Sequence, residues 1–167
     1  FAGADKVVIN SASYSNSQLI ADVARRFGSQ CIIASIDAKR VGNGKYECFS
    51  HSGKTPTGKE PSQWAKELEK MGAGEILITS IEKDGTMEGY DIELIREITD
   101  NVKIPVIASG GAGDYEDMFK ALDQGKSSAV AAASIFHFTE RTPMEAKKFL
   151  AEKGIPVRNV NIQATKF

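Results

Sequence analysis

The chain has 167 residues, a formal net charge of −1, 41% hydrophobic and 26% charged residues. That is an ordinary globular balance, long enough for one core. It offers no basic footprint for nucleic acid or an anionic membrane. No apolar run is long enough to span a bilayer, and no basic-then-apolar leader is present. Cys31 and Cys48 make no disulfide framework, so a reduced, cytoplasmic protein is expected.

Residue 1 is Phe, and Phe1 to Asp5 runs straight into Val7-Val8-Ile9, like a helix end, a glycine turn and a strand. A natural N-terminus rarely starts inside an element, so a truncated chain is expected. Lys6 to Asn10 reads as a short strand. Ser17 to Phe27 places Leu19, Ile20, Val23 and Ala24 at helical spacing, with Asn16 or Ser17 as N-cap and Gly28 as the stop. Cys31 to Ile36 is a continuous apolar run, as in a strand buried on both faces. Asn43-Gly44 signals a hairpin turn. Pro61 to Lys70 is a helix with Trp64, Ala65 and Leu68 on one face, ended by Gly72 to Gly74.

The pattern then repeats. Glu75 to Ser80 is a strand, Asp91 to Ile98 a helix, Ile104 to Ala108 a strand, and Asp114 to Leu122 a helix ended by Gly125. Ser128 to Ala133 is a strand. Pro143 to Lys153 is a last helix, capped by Thr142 with Glu145 at the third helical position. The order βαβαβαβαβα means a parallel sheet with helices outside it. Periodicity alone leaves open whether that sheet is an open doubly wound one or part of a barrel.

The polar residues favour the barrel. All five strand ends carry them: Asn10-Ser11, Asp37-Ala38-Lys39, Thr79-Ser80, Ser109-Gly110-Gly111-Ala112-Gly113 and Ser134. In a (β/α)₈ barrel that is the face where sites are built, whereas an open sheet concentrates them at one switch point. Glycines after a strand let backbone N–H groups approach an anion. The loops after the last two strands are the usual phosphate site of a barrel, so Gly110, Gly111, Ala133 and Ser134 are candidates for one. A tight turn needing glycine is the alternative. Gly3 to Ser11 echoes Gly125 to Ser134, which hints at a half-barrel repeat with two phosphate sites.

Asp37, at the mouth of an apolar strand, is placed for acid–base work, or else pairs with Lys39 or Arg40. Asp84-Gly85-Thr86 is an Asp-Gly turn or a substrate-orienting one. Neither His51 nor His137 has a partner at metal-ligand spacing, so no metal is expected. Cys48 reads as a loop cysteine, with a Cys48–His51 nucleophile as the alternative.

These stretches resemble the cyclase subunit of imidazole glycerol phosphate synthase. The matching motifs are residues 3–10, 36–41 and 72–77, Thr79-Ser80, Asp84-Gly85-Thr86, Gly89-Tyr90-Asp91, residues 105–113 and residues 133–137. The resemblance implies a (β/α)₈ TIM barrel, with residues 1–167 as one domain holding strands four to eight. It implies an enzyme that takes ammonia from a class I glutaminase partner, forming a heterodimer with it. That enzyme converts a bisphosphorylated ribulosyl-formimino aminoimidazole carboxamide nucleotide to imidazole glycerol phosphate and the carboxamide ribotide. No cofactor is implied.

By the same resemblance Asp37 is one of two acid–base aspartates, the other lying before Phe1. Asn10 and Ser11 belong to one phosphate site. Asp84, Gly85, Gly110, Gly111, Ala133 and Ser134 surround the other. Thr79 and Ser109 line the pocket, and Ser52 and Gly53 lie on a mobile loop. Asp5, Lys6 and Glu75 fall at the opposite face, where the partner docks and ammonia enters. A chain lacking three strands and one catalytic aspartate is expected to be inactive by itself.

Glu82 departs from the family's usual Asp, Lys126-Ser127-Ser128 carries an extra residue, and the 46–53 loop is less typical. These lean toward paralogues in surface-polysaccharide clusters that pass ammonia to a sugar-modifying reaction. A non-catalytic barrel that only activates a glutaminase is a third alternative, which Asp37 argues against.

Overall fold

The computed structural model describes residues 3–42 and 44–158. Phe1 and Ala2 of the expected helix end, Asn43 of the hairpin dipeptide and the end of the 1–167 domain lie outside them. Strand β1 (Val7–Ile9) leads to a short helix α1 (Ser11–Ser15) and then α2 (Gln18–Phe27). A 3₁₀ turn over Ser29–Cys31 precedes β2 (Ile32–Arg40). A hairpin of β3 (Tyr46–Ser50) and β4 (Thr55–Pro56) follows, then α3 (Pro61–Met71) and β5 (Glu75–Ser80). The chain continues through α4 (Ile92–Thr99), β6 (Val106–Ser109), α5 (Tyr115–Asp123), β7 (Ala129–Val130), α6 (Ser134–Phe138) and α7 (Pro143–Glu152).

The parallel strands lie side by side in chain order, β1-β2-β5-β6-β7. A doubly wound sheet reverses its order at a switch point, and no reversal occurs here. The helices form one row, α2 on α3, α3 on α4, α4 on α5 and α5 on α7. Ile32, Ala34, Ile36, Ala38, Ile76, Ile78, Val106 and Ala108 alternate along the strands and are essentially sealed. Their neighbours Ile33, Asp37, Leu77, Thr79, Ile107 and Ser109 are half-buried on the other face, where Ser35 is buried. One helix-covered face and one open face with polar groups at its top is the layout of successive barrel units. Among the described residues the sheet is not closed.

Local chemistry explains the elements. Asp114 and Thr142 each head a reciprocal capping box, with Asp117 and Glu145 at the third helical position. Pro61 sits in the first turn of α3, and Gly72 ends it in a left-handed conformation. Trp64, fully buried, stacks on Tyr14 at 5.0 Å.

Some expectations are corrected. The strand expected over Ser128 to Ala133 is regular only at Ala129–Val130. Neither Asn16 nor Ser17 caps α2 through its side chain; α1 already occupies the chain before it, and Leu19 N–H finds the Asn16 carbonyl at 3.1 Å. Cys48 is no loop residue: it is fully buried in β3, and burial pushes its thiol up to about 12. A thiol so held is a poor nucleophile. Strand β2 also continues past Ile36, because its upper part gains the hairpin as an antiparallel partner, Arg40 opposite Tyr46.

Candidate functional site

The chain-order sheet sends every strand end to the same side of the molecule, so residues remote in sequence meet there. Asp37 is in register with Thr79, and Thr79 with Ser109. Residues paired across a sheet share a face, so these three form one polar row on the open face, one strand spacing of about 4.8 Å apart. Asn10 stands beside this row and donates to Ser35 Oγ at 3.4 Å. Its Oδ1 is buried without a partner among the described residues.

Asp37 makes no ion pair with Lys39 or Arg40 among the described residues: Lys39 lies 4.4 Å over the Phe49 ring, and Arg40 pairs with Glu93. Burial pushes the Asp37 carboxyl above the usual carboxylate range. The Asn10 amide opposes that rise, and the Asp84 charge adds to it. A carboxyl whose proton affinity is raised in this way is placed for acid–base work.

Next to the row lies a cavity of about 150 Å³. Its walls are Asp84 and Gly85 from the loop after β5, Ser109, Gly110 and Gly111 from the end of β6, and Ala133 and Ser134 from the end of β7. Seven candidates, scattered over 51 positions, are thus gathered in one place. Met87, Ala112, Ala131 and Ala132 complete the lining. None of the four is among the candidate site residues, although Ala112, Ala131 and Ala132 lie within the strand-end motifs and only Met87 stands outside them.

The glycines have a second reason to be there. Gly111 has φ +106, and a Cβ on it would stand 2.2 Å from the Gly89 carbonyl oxygen, whose own N–H donates back to Gly111 O at 2.7 Å. Gly-Tyr-Asp at 89–91 is a set of struts: Tyr90 Oη donates to the Ala131 carbonyl at 2.9 Å, and Asp91 caps α4 at the Leu94 N–H. The tight turn and the cavity are therefore one construction.

The first strand end repeats the theme. After β1, Asn10 has φ −116 and heads the five-residue α1; after β7, Ala133 has φ −126 and heads the five-residue α6. Ser11 Oγ accepts the His51 N–H at 2.9 Å, which brings the hairpin loop to that strand end. His51, Ser52 and Gly53 are all left-handed, and a Cβ on Gly53 would stand 3.2 Å from Ile81 Cδ1. Asp5, Lys6 and Glu75 lie at the opposite end of the strands. Asp5 is exposed there, and Lys6 pairs with Glu75 across β2. Among the described residues no group of three or more His, Cys, Asp or Glu side chains could hold a metal, and no helix is long and apolar enough to cross a membrane.

Fold and site together define an α/β chain of successive barrel units with an anion-sized cavity and a half-buried carboxyl at the strand C-termini. Residues 1–142 match the family model described as "Histidine biosynthesis protein", and the chain belongs to that family. It is 54% identical over 160 residues, 96% of its length, to "Imidazole glycerol phosphate synthase subunit HisF" of Dehalococcoides mccartyi strain BAV1. The same figures hold for the protein of that name from strain CBDB1. The chain spans 63% of the length of these curated relatives.

Proposed function

We propose that the chain supplies strands four to eight of the cyclase barrel of imidazole glycerol phosphate synthase, in histidine biosynthesis. The observation that carries this reading is the shared face of Asp37, Thr79 and Ser109 beside the cavity of Gly110, Gly111, Ala133 and Ser134. In this reading the cavity takes one phosphate of the bisphosphorylated substrate, with Asp84 and Gly85 closing it. Asn10 and Ser11, with Ser52 and Gly53 above them, take the other. Asp37 moves a proton during ammonia addition and ring closure, and Thr79 and Ser109 line the path between the phosphates. Asp5, Lys6 and Glu75 face a glutaminase that delivers ammonia. The reading is supported by 54% identity to proteins bearing that name.

The test uses the full-length protein. Ammonia-dependent turnover of the bisphosphorylated substrate is measured for it and for Asp37→Asn. Turnover in the parent, reduced by about 10²-fold or more in the variant, is the expected result. A folded parent without turnover would overturn the histidine assignment in favour of a paralogous ammonia-dependent barrel. Equal turnover in both would remove Asp37 from the chemistry.

A further inference from the structure

Within β2, Ala38 and Arg40 direct their backbone groups to the edge where β5 lies. The Ala38 carbonyl accepts the Ile81 N–H there at 2.9 Å. β5 ends at Ser80, so at Arg40 the neighbouring chain has already turned away. A side chain takes the place of the missing strand: Glu82 Oε2 accepts the Arg40 N–H at 3.0 Å.

The same arginine ties the hairpin down. Its Nη1 donates to the Gly44 carbonyl at 3.0 Å and its Nη2 to Glu93 at 2.5 Å, while the guanidinium lies 4.4 Å from the Tyr46 ring centre. Tyr46 Oη donates to Asp91, with its oxygens at 2.8 and 2.9 Å. The hairpin after β2 and the connection after β5 are thereby held as one body, through contacts that are largely exposed.

We propose that Glu82 is a positioning residue that sets Asp37 against the phosphate cavity. It grips the backbone three residues beyond Asp37, and it lies two residues before Asp84, which with Gly85 walls the cavity. The inference rests on the reading of Asp37 and the cavity given above, and adds a residue that touches no substrate. An exposed carboxylate contact contributes little to global stability, whereas misplacing reacting groups by about 1 Å can cost about 10²-fold in rate. The effect therefore falls on kcat and leaves the melt unchanged.

In the full-length protein, Glu82→Ala is compared with Glu82→Gln, which keeps an acceptor oxygen at the same reach. The expected result for Ala is a kcat lower by about tenfold or more, a KM raised less than about threefold, and a Tm within about 2 °C of the parent. Glu82→Gln should keep about half the parent kcat or more. An Ala variant within about twofold of the parent kcat would overturn the role, as would a Gln variant as impaired as Ala. Inorganic phosphate gives a second readout that needs no turnover. In the parent, phosphate should shift the amide resonances of Gly85, Gly110 and Gly111 together with that of Arg40. In Glu82→Ala the glycines should still respond and Arg40 should not. An Arg40 response equal in both proteins overturns the proposal. A phosphate-binding parent without turnover overturns the cyclase reading alone, and the Arg40 response then decides for Glu82.

Discussion

Gly111 has no room for a methyl group: its φ of +106 and the Gly89 carbonyl 2.2 Å from an added Cβ both forbid one. Gly111→Ala should cost about 1–3 kcal/mol in backbone strain alone and push the loop after β5 off the cavity. Phosphate titration should then show affinity weakened by about tenfold or more; an unchanged affinity would mean that the cavity is not the phosphate site. Asp37 carries a different kind of strain. Burial raises its carboxyl in the folded state, so the fold penalises the charge. That term is absent below the ordinary carboxylate range, where Asp37 is protonated folded or unfolded, and stability is lost as pH rises through the folded value. Asp37→Asn should therefore melt higher than the parent at about pH 7, with the gap closing as the solution is acidified. A gap that is absent or reversed at neutral pH would contradict the burial of the charge. Both residues were legible in the sequence as types in the right place. Their partners were not, because Gly89 and Asn10 reach them through space.

At the scale of elements, what could be read was what is decided within a few residues. The capping boxes of α5 and α7, the proline start of α3 and its glycine stop are local hydrogen-bond chemistry. Only the α7 box was foreseen in full, since Asp at the third position of α5 is a less familiar partner than Glu. Thr142→Ala and Asp114→Ala should each cost about 1 kcal/mol, read from denaturant midpoints. The antiparallel return after β2 was signalled by the Asn43-Gly44 dipeptide, but β3 was not, since Cys48 looked like a loop residue until packing in the core sealed it. The short helix α1 escaped the sequence reading for the opposite reason, and α6 was legible only as a short helix start at Ser134. Five residues hold too little periodicity to register, and these turns exist because the chain must bend over the strand ends. β7 is shorter than its apolar run suggested, because it is paired on one side only among the described residues.

Across the whole molecule the burial is lopsided. The helix-facing residues of β2, β5 and β6 are sealed, and Trp64 among the helices is 1% exposed. Trp64→Ala should cost about 3–5 kcal/mol. Val8, on the open face and 57% exposed, should cost less than about 0.5 kcal/mol when changed to Ala in this chain. Thermal melts of the two variants would invert that order only if the open face were covered. The sequence by itself determined the alternation of strands and helices, since hydrophobic period and end signals are local. It also placed polar residues at every strand end, which is a one-dimensional pattern. Only the tertiary structure decided that the strands lie in chain order with one row of helices, because periodicity says which face is apolar and not which strand is next. For the same reason only the fold showed that Glu82 completes β2 at Arg40: a hydrogen bond across 42 positions exists once the neighbouring strand has turned away, and nothing in either segment alone requires it.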